Sequence, residues 1–445
     1  MSEIRVDFSE NIGKIKPMHA VNNGPVYKFA PDQRISNLED YRAAGIPYAR
    51  THDASFYSGY GGEHIVDVHA IFPNFDADAY DESSYDFALT DDYLKIIQLA
   101  GTKPFYRLGS KIEHWRKKYG TLPPKDFNKW AVICEHIIKH YNYGWADGFE
   151  MGIEYWEIWN EPDLDPDDSE HKRTWGGTKL QFFELYNITS AHLKKCFPKL
   201  KIGGPGLAFR FDWAEEFLSQ LKTPIDFFSW HMYAKDPKQI SEKACFVREL
   251  LDRNGCEKTE SILNEWNYVK GWQGDDWLYS LRNEKGIKGA SFIAGAMCES
   301  QRTPIDILMY YDARPCPMNG MFDTDFVCDK LKGYYPFYAF NCLYKLGNSV
   351  KACSDDDRIY ICAAKGKASY AIFTTYYDND DSAPEKSAEL CISGLESSKK
   401  YKLEYYLLDS GHDLERVKEE IVSGNVSLKI DFKLFSAYLI KIESV

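Results

Sequence analysis

The sequence predicts an α/β fold, a (β/α)8 barrel over residues 14–347 followed by an all-β sandwich over 348–445. Three observations carry this. Eight short apolar runs alternate with amphipathic helical stretches over about 335 residues, more than the typical ~250 of such barrels because of loop insertions. The segment after the first run, MHAVNNGPVYKFAPD, holds one glycine, where a doubly wound open sheet would carry a glycine-rich phosphate loop. After residue 348 the helical pattern stops and short strand-like runs split by polar turns take over.

The candidate barrel strands are KIKPMHA (14–20), PYARTHD (47–53), KPFYRLGS (103–110), YWEIWNEP (155–162), KIGGPGLA (201–208), DFFSWHMY (226–233), ESILNEWN (260–267) and DILMYYDA (306–313). Between them, SNLEDYRAAG (36–45), TDDYLKIIQLAG (90–101), DFNKWAVICEHIIKHY (126–141) and LQFFELYNITSAHLKKCF (180–197) carry apolar residues at helical spacing. The second of these is expected to open on a Thr90 cap and to stop at its glycine. An aromatic helix over roughly 334–346 closes the barrel. The sandwich is expected from RIYICAAK, SYAIFTTYY, SAELCISG, YKLEYYLLD, VSLKIDF and SAYLIKIE, joined by the N-terminal strand within 1–13, which contains IRVDF. The whole is therefore a TIM barrel with a C-terminal all-β sandwich domain.

Composition narrows the partners. A formal net charge of −13 opposes nucleic acid and anionic membranes and suits a neutral substrate. No run of 18 apolar residues exists to span a bilayer, and the start, MSEIRVDFSENIGKIKP, lacks the apolar core of a secretory signal. Eleven cysteines without a CxxC pair read as reduced thiols, so the expected location is cytoplasmic. The aromatic content of 15% leaves rings to line a cleft as well as a core.

Barrels of this kind keep their chemistry at the C-terminal ends of the strands. Those ends read Arg50-Thr51-His52-Asp53, Asn160-Glu161-Pro162, His231-Met232-Tyr233, Asn264-Glu265-Trp266 and Tyr310-Tyr311-Asp312. Two glutamates, Glu161 and Glu265, stand on non-neighbouring strands. Two carboxyl groups facing one space are what glycoside hydrolysis requires, one to protonate the leaving oxygen and one to attack the anomeric carbon or activate water. The acid needs a raised pKa, and an apolar wall of Trp156 and Trp159 with a second glutamate opposite would supply it. In EYWEIWNEPD, period-two alternation puts Trp156 and Ile158 toward the helices and Glu157, Trp159 and Glu161 toward the barrel. Glu154 is then solvated, Glu157 is a structural acid in need of Arg50 or Arg107, and Glu161 is the reactive one.

At these residues the chain resembles glycoside hydrolase family 39, in clan A of the retaining glycosidases. The matching segments are TLPPKDFNKWAVICEHIIKHY, YWEIWNEPDL, KIGGPGLA, SWHMYAK and LNEWNY, in the family's order, within residues 14–346. The resemblance implies Glu161 as acid/base, Glu265 as nucleophile, Asn160 on the substrate 2-hydroxyl, Tyr233 donating to the nucleophile and His231 beside it. It further implies Arg50 steadying the nucleophile's charge and His52 on the sugar; Asp53, Trp266 and Tyr310, at the same strand ends, are further candidate substrate contacts. Retention implies carboxyl groups roughly 5 Å apart.

Three departures from the family bear on the sugar. Thr51-His52-Asp53 stands where members carry Gly-His-Gly. Arg107 replaces an acid found in family xylosidases. Tyr310 or Tyr311 replaces the clan's tryptophan under the reacting sugar. Weaker signals are read plainly. The aromatic loop 54–89 is expected to rim the cleft. Within it, DADAYDESS lacks the glycine and terminal glutamate of a calcium loop. DLDPDDSEHK (163–172) reads as solvated, and HIIKH as part of an outer helix. The expected protein is a retaining exo-glycosidase of short plant-type oligosaccharides, a β-xylosidase first, needing no cofactor and no metal. Its expected partner is an oligosaccharide substrate, with self-association into a homo-oligomer left open. The alternatives are the same mechanism on an arabinosyl, glucosyl or uronosyl substrate, and a non-catalytic glycan-binding protein on a degenerate barrel.

Overall fold

The computed structural model describes residues 2–27, 36–52, 65–324 and 328–445. After a first strand β1 (Ser2–Lys14), eight parallel strands close a barrel in chain order. They are β2 (Ala20–Asn22), β3 (Tyr48–Arg50), β4 (Lys103–Leu108), β5 (Tyr155–Ile158), β6 (Lys201–Leu207), β7 (Phe227–Ala234), β8 (Glu260–Tyr268) and β9 (Ile307–Tyr310). The helices are α1 (Leu38–Ala44), α2 (Val68–Ile71), α3 (Ala88–Leu99), α4 (Phe127–Tyr143), α5 (Lys179–Cys196), α6 (Phe211–Ser219), α7 (Pro237–Arg253), α8 (Gly274–Glu284), α9 (Ile287–Ser300) and α10 (Tyr334–Leu346).

Local sequence sets several of their ends. Asp126 accepts from the N–H groups of Asn128 and Lys129 and starts α4. Thr178 and Gln181 form a capping box on α5. Thr90 is not the cap expected of it. It lies inside α3, which begins two residues earlier, and its hydroxyl bonds the Ile65 carbonyl. The first barrel strand also differs, starting at Ala20 beyond most of KIKPMHA. Ile15 bonds the Gly347 carbonyl, Pro17 has no N–H to give, and His19 packs outward on Phe340 and Tyr344.

The barrel interior is layered. At the N-terminal end Ala20, Phe105, Tyr155, Phe227, Ile262, Ile307 and Met309 form a buried apolar plug, with Tyr48 packed against it. Side chains repeat every two residues along a strand. Two positions on from six of these stand Asn22, Arg50, Arg107, Glu157, Ser229 and Asn264, all fully buried. A polar layer therefore sits on the plug, and the strand ends lie above it.

The second sheet has nine strands in the order β15-β14-β17-β12-β11-β10-β1-β13-β16. The new members are β10 (Asn348–Ser354), β11 (Ile359–Lys365), β12 (Ser369–Tyr376), β13 (Lys386–Ser393), β14 (Tyr401–Leu408), β15 (Asp413–Val422), β16 (Val426–Phe432) and β17 (Ala437–Ser444). The sheet is antiparallel except where β1 runs parallel to β13. Alternation splits its strands between two cores. Ile359, Ile361 and Ala363 of β11 enter the sheet's own core, while Tyr360, Cys362 and Ala364 join the barrel's. The helix α9 lies between barrel and sheet and is buried nearly all round.

One buried cation ties the two parts. Lys288 of α9, 2% exposed, donates to Asp381 Oδ1 (2.7 Å), the Asn379 carbonyl (2.8 Å) and Tyr279 Oη (2.9 Å). Lys288→Met keeps the stem and deletes these bonds, and should cost about 1–3 kcal/mol. Urea unfolding at fixed protein concentration measures this as a lower midpoint. An unchanged midpoint would mean that the contact contributes nothing net.

Candidate active site

The barrel's polar layer leads directly to the strand ends. On β5 the alternation holds through Ile158 and then stops. Trp159 and Glu161 take left-handed backbone, with φ of 76° and 50°, a conformation that costs energy for residues other than glycine. The turn sends Trp159 outward, where it donates to the Thr174 carbonyl and packs on Trp130 and Trp175. Asn160 then points inward and Glu161 follows it into the site. The Glu161 N–H is held by the Gly206 carbonyl (2.9 Å) and its carbonyl by the Thr174 hydroxyl (2.5 Å).

Glu161, His231 and Glu265 converge, with one ligand-type atom of each within 4.8 Å of the others. His231 Nδ1 lies 2.8 Å from Glu161 Oε1 and 3.6 Å from Glu265 Oε2. Burial lowers the His231 pKa, so the imidazole is neutral and carries one N–H. Its Nε2 is buried with no hydrogen-bond partner among the described residues. A proton there would be an orphan donor, so the proton belongs on Nδ1 and is donated to Glu161. That leaves Glu161 Oε2 to carry the carboxyl's own proton.

The two carboxyl groups are treated differently. Burial, aided by the charge on Asp163, raises the Glu161 pKa to about 8 against the pull of Arg50. Burial also raises Glu265, but the Arg50 charge and the Tyr233 hydroxyl act to lower it. Tyr233 Oη donates to Glu265 Oε1 at 2.5 Å, and Arg50 Nη1 and His52 Nε2 each lie 3.4 Å from Glu265 Oε2. A proton shared between these groups therefore resides on Glu161, whose carboxyl is met by no cation or hydroxyl among the described residues.

Arg50 organises the floor. Fully buried, it donates to Glu157 Oε2 (2.7 Å), Asn160 Oδ1 (2.6 Å) and Asn22 Oδ1 (3.0 Å) besides reaching Glu265. Glu157 also accepts from Ser229 Oγ and Asn264 Nδ2, each at 2.6 Å. Arg50, not Arg107, is thus the partner of Glu157, because Asp67 holds Arg107 at 2.6 Å. The last glycine of KIGGPGLA, Gly206, lies against this network. Its φ is 64°, and a Cβ there would come within 3.3 Å of Arg50 Nη2 and Asn160 Oδ1.

Of the expected site residues, Glu161, Glu265, Asn160, His52, His231, Tyr233 and Arg50 lie together. Asp53 is outside the described residues, as is the part of the 54–89 loop up to residue 64. Trp266 and Tyr310 are corrected: both are fully buried on the helix side. Trp266 packs on Phe292 of α9 and on Tyr310, and Tyr310 on Phe337 of α10. Asn264 and Glu265 both turn inward at a register shift between Leu263 and Trp266, and Trp266 takes the outward place after it. Tyr311 is the half-buried residue beside the site, its ring 5.3 Å from that of His52.

The expected wall of Trp156 and Trp159 also fails. Trp156 packs on Tyr106, and its indole N–H goes to the Ile153 carbonyl. Glu154 is not simply solvated, since Lys201 reaches it at 3.0 Å. Nor is the stretch after Glu161 wholly solvated. Asp163 is 1% exposed and accepts from the N–H groups of Ala208, Phe209 and Arg210, which locks the β6–α6 loop against the acid strand. Only its place two residues after Glu161 hinted at this.

A second group of metal-ligand type among the described residues, Glu135, His192 and Cys196, lies on the outer helices. There Glu135 is already paired with Lys139 (2.5 Å) and His192 (2.6 Å).

A closed parallel barrel with two facing glutamates at strand ends is the architecture of a (β/α)8 glycoside hydrolase. The model of the glycosyl hydrolases family 39 matches residues 43–264, and the chain belongs to that family. It is 25% identical over 223 residues to a β-xylosidase of Geobacillus stearothermophilus, covering 46% of this chain and 41% of that protein. It is 30% identical over 168 residues to a β-xylosidase of Caldicellulosiruptor saccharolyticus, covering 34% of this chain and 32% of that protein. The match thus spans less than half the length of either relative. The crystal structure of a glucosidase from Croceicoccus marinus shares the fold, with a TM-score of 0.79, 20% identity, and coverage of 100% of this chain and 99% of that one. No helix among the described residues is long and apolar enough to cross a membrane.

Proposed function

We propose that the protein is a retaining exo-glycosidase of short plant-type oligosaccharides, with β-xylosides as its first substrates. The observation that carries this is the carboxyl pair, whose nearest oxygens lie within 4.8 Å. Retaining enzymes hold the pair about 5–5.5 Å apart, and inverting ones leave room for a water at about 6.5–9.5 Å. In the first step Glu265 attacks the anomeric carbon, the glycosidic C–O bond breaks, and the proton on Glu161 Oε2 passes to the leaving oxygen. In the second, Glu161 takes a proton from water, the water oxygen attacks the anomeric carbon, and the bond to Glu265 breaks. Tyr233 and Arg50 hold Glu265 as a carboxylate. Asn160, its Oδ1 held by Arg50, offers its NH2 to a sugar hydroxyl.

The named β-xylosidases among the relatives support the xyloside reading. Tyr311, in place of the clan's tryptophan, favours a second reading in which the same mechanism acts on an arabinosyl, glucosyl or uronosyl substrate. Eleven free cysteines, two of them exposed, support a reducing, cytoplasmic setting.

The test is hydrolysis of a panel of aryl glycosides and plant oligosaccharides with product anomers followed over time. Retained configuration is expected, and inverted product overturns the mechanism. The pH profile gives a second check. Glu161 must enter with its proton, and its pKa is raised to about 8. The active form is therefore lost as pH rises through about 8, and kcat/KM should fall there with a single alkaline limb. An alkaline limb in the usual carboxylate range, near 4.5, would remove Glu161 from the acid role.

A further inference from the structure

Trp272, in the connection between β8 and α8, is 56% exposed. An indole left this far in water forgoes favourable burial, yet this one is held. Its ring stacks on Trp277 with centroids 5.3 Å apart and planes at 24°. The connection is anchored at its start, where Val269 bonds the Ala234 carbonyl (3.0 Å) and Lys270 bonds Ser280 Oγ (2.9 Å). The Trp272 ring also meets Tyr233 edge to face at 4.8 Å and 77°, and Tyr233 is the residue that donates to Glu265. A fixed, half-bare aromatic surface thus lies one ring away from the nucleophile's hydrogen-bond donor. The electron-rich face of an indole attracts the partly positive C–H groups of a pyranose, as it attracts ring edges.

We propose that Trp272 is the stacking platform for a second sugar ring, the neighbour of the ring held between Glu161 and Glu265. This rests on the glycosidase reading and adds to it that the preferred substrate is at least a disaccharide. The test compares wild type, Trp272→Ala and Trp272→Phe on two substrates of whichever sugar the wild type hydrolyses. One is the disaccharide, and the other the glycosyl fluoride, which has a single ring. The ratio of kcat/KM, disaccharide over fluoride, should fall about tenfold in Trp272→Ala, equivalent to roughly 1.4 kcal/mol, and should largely recover in Trp272→Phe. Equal loss on both substrates overturns the proposal, because Trp272 would then act only through Tyr233. An unchanged ratio also overturns it, and a simultaneous drop in sedimentation mass would mark the ring as a contact between copies of the chain. A wild type that hydrolyses neither substrate instead overturns the glycosidase reading on which the platform depends.

Discussion

Glu265→Gln is expected to lower kcat about 10⁴-fold or more on every glycoside, because no covalent intermediate forms without the attacking carboxylate. The amide is nearly isosteric. It keeps the acceptor for Tyr233, so the fold should survive and the melting temperature should stay close to wild type. Glu161→Gln should behave differently. Its loss depends on the leaving group, since the acid is needed only where the departing oxygen is a poor leaving group. Disaccharides should lose about 10²–10⁴-fold, the range of general acid–base catalysis. Activated aryl glycosides should still release their phenol in a burst, followed by slow turnover, because no base remains to activate water for the second step. Added azide, a nucleophile that needs no base, should speed that turnover and appear as a glycosyl azide. Stopped-flow release of the phenol with mass detection of the glycosyl-enzyme reads both. Equal, leaving-group-independent losses in the two variants would contradict the division of roles.

Much of this site is legible in the chain, and the reason is periodicity. Strand ends concentrate polar residues in a barrel, so Arg50, Asn160, Glu161, His231, Tyr233 and Glu265 announce themselves by position. What escapes is set by backbone shape and by three-dimensional choice. Nothing in WNEP encodes the left-handed backbone at Trp159 and Glu161, which breaks the alternation and turns Trp159 away from the barrel. Trp266 escapes for the same kind of reason, since Asn264 and Glu265 both turn inward at a register shift that strict alternation does not contain. The choice between Tyr310 and Tyr311 needed the end of β9. Likewise Arg50 and Arg107 occupy the same polar layer, and only Asp67, far off in sequence, decides which of them meets Glu157. In the second sheet, β15 reads DLERVKEEIV and is exposed along most of its length. It is an edge strand, where charge is favoured over alternation, so its pattern resembles a loop's.

Arg50 carries the second large effect, and here stability and activity separate. Its guanidinium and the Glu157 carboxylate are both fully buried. Bringing such a pair out of water costs several kcal/mol per ion, and the attraction between them roughly offsets it. Arg50→Met therefore does more than delete hydrogen bonds. Among the described residues it leaves Glu157 with the neutral donors Ser229 and Asn264, and it should destabilise the protein by about 3–5 kcal/mol. It also frees Asn160 Oδ1 and removes the buried arginine that, among the described residues, reaches Glu265. In the double variant Arg50→Met with Glu157→Gln the stranded charge is gone, so the urea midpoint should recover much of its loss. Activity should not recover, because Glu265 still lacks its cation and Asn160 its anchor. Residues in one network are expected to be non-additive in this way. Recovery of stability without activity assigns Arg50 two separable roles, structural through Glu157 and catalytic through Glu265. A double variant that regains wild-type kcat would reduce Arg50 to the structural role alone, and a single variant as stable as wild type would show that Glu157 needs no counter-charge at all.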